Sequence, residues 1–303
     1  MIQTFRSNGK VLLSAEYFVI DGALALALPT KLGQELRVKI TENAQSTISW
    51  KSFNSENKVW FECEISTQNL QIISTSNQQF VDRLLSILKL IANQNPAIFS
   101  LQNSYYFETY LEFPNEFGLG SSSTLLNNLA KFSNTSPYYL LENTFGGSGY
   151  DVACAEANQP ILYSIENNIP NVQIINLSEN ITQELAFVFL NKKQNSREGI
   201  ALYKSKPKDT ILVNEISNIT IEIAKSTNIK EFELLVNQHE NIVSKFLQLP
   251  KVKEVYFSDY KGSVKSLGAW GGDFVAITKT DNYNEYFESK GFSVMYDYNK
   301  LIL

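Results

Sequence analysis

The segment at residues 114–124, PNEFGLGSSST, combines residue types that could bind phosphate. Glycine lets a backbone approach a ligand closely, and a helix that follows such a loop offers free N–H groups at the positive end of its dipole. The serine hydroxyls could bond phosphate oxygens or a Mg²⁺ ion. An ordinary loop with serine helix caps would have the same composition, so both interpretations stay open. The loop is not a Walker A motif, since no GK[ST] follows, and it contains no GxGxxG dinucleotide fingerprint.

Three further segments carry groups that could do chemistry. GGSGYD, at residues 146–151, places a carboxylate after a flexible turn. There Asp151 could act as a general base on a hydroxyl, or simply favour the positive end of a helix dipole. In GKVLLSAEYFVIDG, at residues 9–22, Lys10 could reach a phosphate or a carboxylate, or be solvated. GAWGGD, at residues 268–273, would be a tight hairpin turn if it stood alone.

The composition limits which classes of function the chain can have. Its 303 residues carry 26 Lys and Arg against 31 Asp and Glu, and the net charge of −5 gives no electrostatic footprint for nucleic acid or an anionic membrane. The one histidine, His239, excludes a multi-histidine metal site and is predicted to be solvent-facing or locally bonded. Cys63 and Cys154 form no CxxC motif, which favours reduced thiols over a zinc site. The polar N-terminus and the short apolar runs predict a soluble, cytoplasmic protein.

The periodicity of apolar residues predicts a mixed α+β chain with strands first. Alternation predicts strands over 36–41, 47–53 and 59–65, with a further strand over 105–113, and helical spacing predicts helices over 80–92 and 125–132. A second Gly/Ser cluster at 146–149 precedes residues 150–157, where a helix would begin. Loop-forming residues predict a lobe boundary between 165 and 185. Beyond it we expect a strand over 184–190, helices over 211–224 and 231–246, two strands within 263–279, a helix over 283–290 and a strand over 292–297. This is not a regular βαβ alternation.

Together, and in this order, the four segments resemble the GHMP kinases, the superfamily of galactokinase, homoserine kinase, mevalonate kinase and phosphomevalonate kinase. The family's N-terminal GK…GE[HY]…GxxAL motif is similar to Gly9, Lys10, Glu16, Tyr17, Gly22, Ala23 and Leu24. Its PxxxGLGSSA motif is matched from Pro114 through Ser122, and its SGxD segment by Ser148, Gly149 and Asp151. Its C-terminal KxxGAGGG motif is matched by Lys265, Gly268, Ala269, Gly271 and Gly272.

The resemblance implies a two-lobed α+β GHMP kinase fold and an ATP-dependent small-molecule kinase. The N-terminal, nucleotide-binding lobe, residues 1–175, would resemble ribosomal protein S5 domain 2. The C-terminal lobe, residues 176–303, would be a ferredoxin-like sandwich. The expected cofactors are ATP and Mg²⁺, and the expected partner is a small anionic substrate, with no nucleic acid and no membrane.

The resemblance also implies a role for individual residues. Asp151 would be the base or orienting group at the acceptor, and Lys10 would pair with Asp151 and neutralise charge on the transferred phosphoryl group. The ATP phosphates would lie against Gly118, Leu119, Gly120, Ser121, Ser122 and Ser123. Mg²⁺ would be held by Ser121 or Ser122, with Glu142 as a further ligand. Substrate contacts would come from Glu16, Tyr17, Ser148, Gly149, Lys193, Ser196, Arg197, Gly268, Ala269, Trp270 and Gly271.

Three details are closest to the phosphomevalonate kinases: Tyr17 after Glu16, the SGYDVA segment, and Asp273 after two glycines. They predict transfer of the γ-phosphoryl group to an acceptor of the mevalonate pathway, with phosphomevalonate first. Lys193 and Arg197 would suit such an anionic acceptor, although a solvated basic loop would look the same. A mevalonate kinase and a non-catalytic nucleotide-binding member of the family remain alternatives.

Two residues depart from the family pattern. Ala15 stands where the family has the glycine of GE[HY]. We expect this substitution only to reduce the range of backbone angles that the position can adopt. Trp270 replaces a glycine of the C-terminal motif. It would be strained there if that glycine needs a positive φ, or would reshape the acceptor pocket if the loop lines it.

Overall fold

The computed structural model describes residues 2–42, 45–167 and 169–303, which form two compact units. The first unit contains the residues up to Gly9, Leu32–Asn115 and Gly120–Glu156. The second contains Lys10–Lys31, Glu116–Leu119 and Ala157–Leu303. Each unit is thus assembled from three stretches of chain, and the lobe division at residue 175 stays a prediction.

The sheet of the first unit follows the predicted alternation. Its strand order is β5-β4-β3-β6-β2, with β3 and β6 parallel and the other neighbours antiparallel. Along β3, Ile48 and Trp50 are buried between less buried neighbours, so one face of the sheet forms the core. The strands are β1 (Ile2–Leu12), β2 (Ala25–Glu42), β3 (Thr47–Phe53), β4 (Val59–Ser66), β5 (Ile72–Thr75) and β6 (Asn103–Leu111), of which β1 and β2 continue into the second unit.

Four helices contribute apolar side chains to the same core. They are α1 (Gln78–Gln94), α2 (Ser121–Ser133), α3 (Pro137–Glu142) and α4 (Tyr150–Glu156). The first begins at Asn77, whose side chain accepts a hydrogen bond from the Phe80 N–H. Its buried residues recur every three or four positions, which confirms the predicted amphipathic helix.

A β-hairpin of the second unit overlaps the loop-rich boundary that the sequence predicted. Strands β7 (Ile161–Glu166) and β8 (Ile169–Ile174) pair with each other, and β7 pairs with the start of β2. Strand β8 escaped prediction because it is exposed and includes Pro170, which an outer strand tolerates.

A second sheet, four-stranded and antiparallel with the order β10-β11-β9-β12, also belongs to the second unit. Its strands are β9 (Leu185–Phe189), β10 (Val264–Ser266), β11 (Phe274–Thr278) and β12 (Met295–Asp297). The helices are α5 (Glu179–Thr182), α6 (Ser196–Lys204), α7 (Thr210–Lys225), α8 (Ile229–Leu247), α9 (Val252–Tyr256), α10 (Tyr283–Ser289) and α11 (Tyr298–Leu301). Since helices separate β9 from β10 and β11 from β12, the connectivity is the ferredoxin-like βαββαβ pattern that was predicted.

Candidate functional site

The predicted phosphate loop leads directly into α2 of the first unit. Gly120 has a left-handed backbone, with φ 89° and ψ 42°, and no side chain caps the start of the helix. The Ser123 hydroxyl donates to the Gly120 carbonyl at 2.8 Å, whereas Ser122 is exposed. An uncapped helix start beside an exposed hydroxyl fits the oxygens of a phosphate chain.

A buried polar network holds α2, and sequence reasoning missed it. The Asn128 amide accepts a hydrogen bond from the Ser7 hydroxyl at 2.7 Å and donates to the Gln34 carbonyl at 2.9 Å. Asn127 donates to the Ser7 hydroxyl at 3.0 Å, and Thr124 donates to the Gln34 side chain at 2.9 Å. Asn127 Oδ1 has no hydrogen-bond partner among the described residues, so the network is not fully satisfied. Its paired groups favour one packing arrangement of α2. The sequence feature that could have predicted this network is the pair of asparagines, Asn127 and Asn128, inside an otherwise apolar helical pattern.

Asp151 lies in the first turn of α4, after a run of glycines with unusual backbone angles. Gly146, Gly147 and Gly149 have φ of 64°, 110° and 85°, which L side chains rarely adopt. Asp151 is half-buried, and its Oδ1 accepts the Val152 N–H at 3.0 Å. Ser148 and Gly149 belong to the same turn, and their substrate contacts stay predictions.

In the second unit, Lys10 contacts the first half of the phosphate loop. Its ammonium donates to the Gly118 carbonyl at 2.8 Å, and its backbone N–H donates to the Leu119 carbonyl at 2.9 Å. The structure therefore brings two segments together that sequence alone linked only by resemblance. The pairing of Lys10 with Asp151 stays a prediction.

The basic segment of the second unit lies between β9 and α6. Lys193, Ser196 and Arg197 are all exposed, and Asn195 caps α6 by accepting the Arg197 N–H at 3.1 Å. Helix α6 was not predicted, because its nine residues bury only Tyr203 and so carry little apolar pattern. The exposed cations at its start suit an anionic ligand, and that role stays a prediction.

The segment from Ala15 to Tyr17 is a strained, buried turn. Ala15 has φ 65° and Tyr17 has φ 64° with ψ −45°. The Phe18 N–H donates to the Glu16 carbonyl at 2.7 Å, which makes Tyr17 the centre of a γ-turn of the rare positive-φ type. Strain of this kind persists only where surrounding contacts enforce it, and it concentrates at functional sites.

Four ionisable side chains of the second unit, all buried, hold this turn: Glu16, His239, Glu240 and Lys265. Lys265 forms ion pairs with Glu16 and, at 3.1 Å, with Glu240. Glu240 also accepts hydrogen bonds from the N–H and hydroxyl of Ser266. The Ala15 N–H donates to Nε2 of His239 at 2.9 Å. His239 is therefore buried and takes part in a long-range bond, which corrects the expectation of a solvent-facing or locally bonded side chain.

The charges in this buried cluster do not balance if both carboxyls ionise. Burial raises the pKa of Glu16 to about 7 in spite of Lys265, and it also raises the pKa of Glu240. Burial opposes the charge of Lys265, but the two carboxylates outweigh it and raise its pKa. Burial, with Lys265 nearby, holds the pKa of His239 well below its usual value, so the imidazole is neutral. Oε2 of Glu16 has no hydrogen-bond partner among the described residues, and Nε2 of the neutral His239 lies 3.4 Å away, so no donor stabilises a negative charge on that oxygen.

We expect the stability of the protein to fall as the pH rises from about 4.5 towards 7, because Glu16 keeps its proton in the folded state and loses it in the unfolded state. A raised pKa of this size corresponds to about 3 kcal/mol across that window. Urea unfolding of Glu16→Gln at pH 5, 6, 7 and 8 should show a flatter profile than wild type. Glu231→Gln, at an exposed position of α8, is the control. Equal slopes for wild type and Glu16→Gln would contradict the prediction.

Ala15→Gly should stabilise the protein by about 0.5–1 kcal/mol. A left-handed backbone costs a non-glycine residue about 1–2 kcal/mol, and the extra freedom of glycine in the unfolded chain offsets part of that gain. Chemical unfolding measures the difference. Ala27→Gly, in buried β2 and without a positive φ, should instead destabilise the protein. A loss of stability in both variants would show that the Ala15 backbone is not strained.

The GAWGGD turn accommodates Trp270 without a strained backbone. Gly268 and Gly271 have φ of 65° and 84°, and Trp270 is not among the residues with positive φ. Its indole is 4% exposed and donates to the Pro250 carbonyl at 2.9 Å, while its backbone N–H donates to the Tyr17 hydroxyl at 2.9 Å. Of the two expectations for Trp270, strain is therefore wrong. Substrate contacts for Glu16, Tyr17, Gly268, Ala269, Trp270 and Gly271 stay predictions.

The predicted metal ligands all belong to the first unit. Ser121 is half-buried at the start of α2, Ser122 is exposed, and Glu142 is exposed at the end of α3. Across residues 2–42, 45–167 and 169–303, no three His, Cys, Asp or Glu side chains form a metal-binding group. Serine hydroxyls at the start of a helix suit Mg²⁺, which takes few protein ligands beside substrate phosphates. Their role stays a prediction.

Two open clefts of the first unit lie apart from the predicted site residues. Open clefts of about 370 and 440 Å³ lie at the turn between α2 and α3, and the residues that line them include none of the predicted site residues. No helix in the described part of the chain is long and apolar enough to cross a membrane. The loops rather than the clefts therefore hold the groups that could do chemistry.

Comparison with solved structures shows the fold. The Methanococcus jannaschii mevalonate kinase has 18% identity and a TM-score of 0.72, with 98% of this chain and 97% of that chain covered. The Streptococcus pneumoniae phosphomevalonate kinase in complex with phosphomevalonate and AMPPNP has 15% identity and a TM-score of 0.70, covering 97% and 99%. The Lactococcus lactis galactokinase complexed with galactose has 13% identity and a TM-score of 0.70, covering 97% and 92%.

These proteins are GHMP kinases, and the prediction of a two-lobed GHMP kinase fold is confirmed. No protein-family model matches the chain, and a search of curated proteins gives no match. The likeness to solved structures shows the fold alone.

Proposed function

We propose that the chain is an ATP-dependent small-molecule kinase that transfers the γ-phosphoryl group to an anionic acceptor of the mevalonate pathway, with phosphomevalonate as the first candidate. The observation that carries the proposal is the Gly118–Ser123 loop. It contacts the Lys10 ammonium at its first glycine and enters an uncapped helix after its second. This arrangement suits a chain of phosphates within a fold that solved GHMP kinases share.

Each unit contributes groups with a role in this reaction. In the first unit, the N–H groups at the start of α2 bind phosphate oxygens, and Asp151 accepts the proton of the acceptor hydroxyl. In the second unit, Lys10 places positive charge at the Gly118 turn and stabilises negative charge on the transferred group. Bound ATP would supply the phosphoryl group, and Mg²⁺ would neutralise its negative charge. Ser121, Ser122 and Glu142 are the residues that would bind the Mg²⁺ ion.

The basic start of α6 supports an anionic acceptor. Lys193 and Arg197 are exposed on a chain whose net charge is −5, so they form a local positive surface. The Arg197 guanidinium can form a bidentate pair of hydrogen bonds with a carboxylate or a phosphate. Phosphomevalonate carries both groups, and mevalonate only the carboxylate.

A coupled ADP-release assay tests the proposal with ATP, Mg²⁺ and a panel of phosphomevalonate, mevalonate, homoserine and galactose. Turnover with phosphomevalonate alone would support it in full. Turnover with mevalonate would make the chain a mevalonate kinase. ATP binding without turnover would favour a non-catalytic nucleotide-binding protein, and the absence of both would refute the proposal. The Asp151→Asn variant, purified in parallel, controls for contaminating kinases.

A further inference from the structure

Asp273 ties the GAWGGD turn to the segment that follows β9. Its backbone N–H donates to the Lys192 carbonyl at 2.8 Å, and its carbonyl accepts the Leu190 N–H at 2.8 Å. Its side-chain Oδ1 accepts the Gln194 N–H at 3.0 Å. Asp273 also has φ 52°, in the left-handed region that Asp and Asn tolerate better than most residues. These three bonds fix the carboxylate in one place.

The same carboxylate lies against Gly118, the first glycine of the phosphate loop. A Cβ atom built on Gly118 would stand 2.3 Å from Oδ2 of Asp273, a distance that real Cβ atoms do not reach. Gly118 also has φ 65°. Its carbonyl accepts the Lys10 ammonium at 2.8 Å. The Gly118 turn is therefore held between a carboxylate at its Cα and an ammonium at its carbonyl oxygen.

The charged side chains near Asp273 are Lys10 and Lys193, which the proposed function also uses. Burial raises the pKa of Asp273, while the Gln194 N–H and the charges of Lys10 and Lys193 lower it. Burial raises the pKa of the Tyr17 hydroxyl, the Trp270 N–H lowers it, and Glu16 and then Asp273 add smaller increases. The carboxylate thus shares its surroundings with both lysines that the proposed function uses.

We infer that Asp273 is a positioning residue, which holds the Gly118 turn and the Lys10 ammonium in the arrangement that receives the phosphates of ATP. The inference rests on the proposed function for its ligand, but the contact of Asp273 with Gly118 does not depend on ATP.

A positioning role and a purely electrostatic role predict opposite results. Removing a negative charge beside two lysines should strengthen the attraction of an anionic nucleotide. Releasing the turn should instead weaken ATP binding, because the loop must then be ordered when the ligand arrives. The sign of the change in ATP affinity therefore separates the two roles.

Asp273→Asn is the main variant, because asparagine tolerates the left-handed backbone and keeps an acceptor for the Gln194 N–H. We expect the KM and Kd for ATP to rise about tenfold, because the neutral side chain no longer attracts the Lys10 ammonium and the turn is held less firmly. Hydrogen exchange at residues 116–119 should accelerate without ATP present, with little change in the global unfolding midpoint. Asp281→Asn, an exposed carboxylate after β11, is the matched control.

A double-mutant cycle tests the contact itself. Gly118→Ala should weaken ATP binding, both by collision with Asp273 and by its positive φ. Asp273→Gly removes the carboxylate and suits the φ of 52°. Gly118→Ala should therefore have a smaller effect in the Asp273→Gly background than in wild type.

The outcomes separate this inference from the proposed function. Wild-type exchange at residues 116–119 together with unchanged or tighter ATP binding in Asp273→Asn would overturn the positioning role. Equal effects of Gly118→Ala in both backgrounds would overturn the contact. If wild type binds no ATP while Asp273→Asn still loosens the turn, the proposed function fails and the positioning of the turn stands.

Discussion

Asp151→Asn should lower kcat by about 10²–10⁴ with little change in the KM for ATP. Asparagine has the shape of aspartate and its Oδ1 can still accept the Val152 N–H, so the start of α4 should be preserved. What is lost is the ability to take a proton from the acceptor hydroxyl. Steady-state kinetics with the acceptor that the panel identifies would measure both parameters.

Glu156→Gln provides the matched control for this prediction. Glu156 is exposed at the other end of the same seven-residue helix, so the substitution removes an equal charge from the same element. It should leave kcat close to that of wild type. If both variants lose activity equally, the loss of kcat comes from the changed charge of α4 and not from a lost proton transfer at Asp151. Near-normal turnover in Asp151→Asn would remove Asp151 from the catalytic group.

The parts of the fold that the sequence predicted are those governed by local rules. Strand β3 follows its alternation to the residue, and α1 and α8 follow their apolar spacing to within two residues. The glycines of the phosphate loop and of the Asp151 turn have the positive φ angles that only glycine adopts readily. Each of these features depends on neighbours in the chain, so a single sequence contains enough information.

The parts that escaped prediction depend on contacts between distant residues. Nothing near His239 in the sequence indicates that its imidazole accepts the Ala15 N–H, 224 positions away. Nothing near Glu240 in the sequence indicates that Lys265, on β10, lies beside it. Ala15 seemed a minor departure from the family's glycine, but its φ of 65° makes it a strained residue. Trp270 was expected to be strained if its position needed a positive φ, whereas its φ is not positive and its indole is bonded to Pro250.

These long-range contacts also explain why the turn at Ala15–Tyr17 can persist. A γ-turn next to a left-handed alanine is unfavourable by itself, so its geometry has to be enforced by buried partners. Three partners converge on it from elsewhere in the second unit: His239 on the Ala15 N–H, Lys265 on the Glu16 carboxyl, and the Trp270 N–H on the Tyr17 hydroxyl. Lys265 is the only one of the three that carries a charge, and its removal should have the largest consequence.

Lys265→Met should destabilise the protein by about 3–5 kcal/mol, because it leaves the carboxyls of Glu16 and Glu240 buried without their cation. Methionine has a similar length and retains most of the packing, so the loss reports charge rather than volume. The loss is a large fraction of the ~5–15 kcal/mol by which folded proteins are stable. Urea unfolding at pH 8, where Glu16 is ionised in the unfolded state and favours ionisation in the wild-type fold, measures it.

Two further variants establish whether this loss of stability comes from the charge of Lys265 or from its packing. Lys279→Met removes a lysine whose ion pair with Asp297 is partly exposed, and such pairs contribute about 0–1 kcal/mol. Lys265→Met combined with Glu16→Gln removes the unpaired carboxylate together with its cation, and it should recover part of the stability that Lys265→Met alone loses. If the double variant is no more stable than the single one, Lys265 acts through packing and the turn is not held by charge. Recovery would show that the buried ion pair, rather than the methylene chain of Lys265, keeps Ala15–Tyr17 in its strained form.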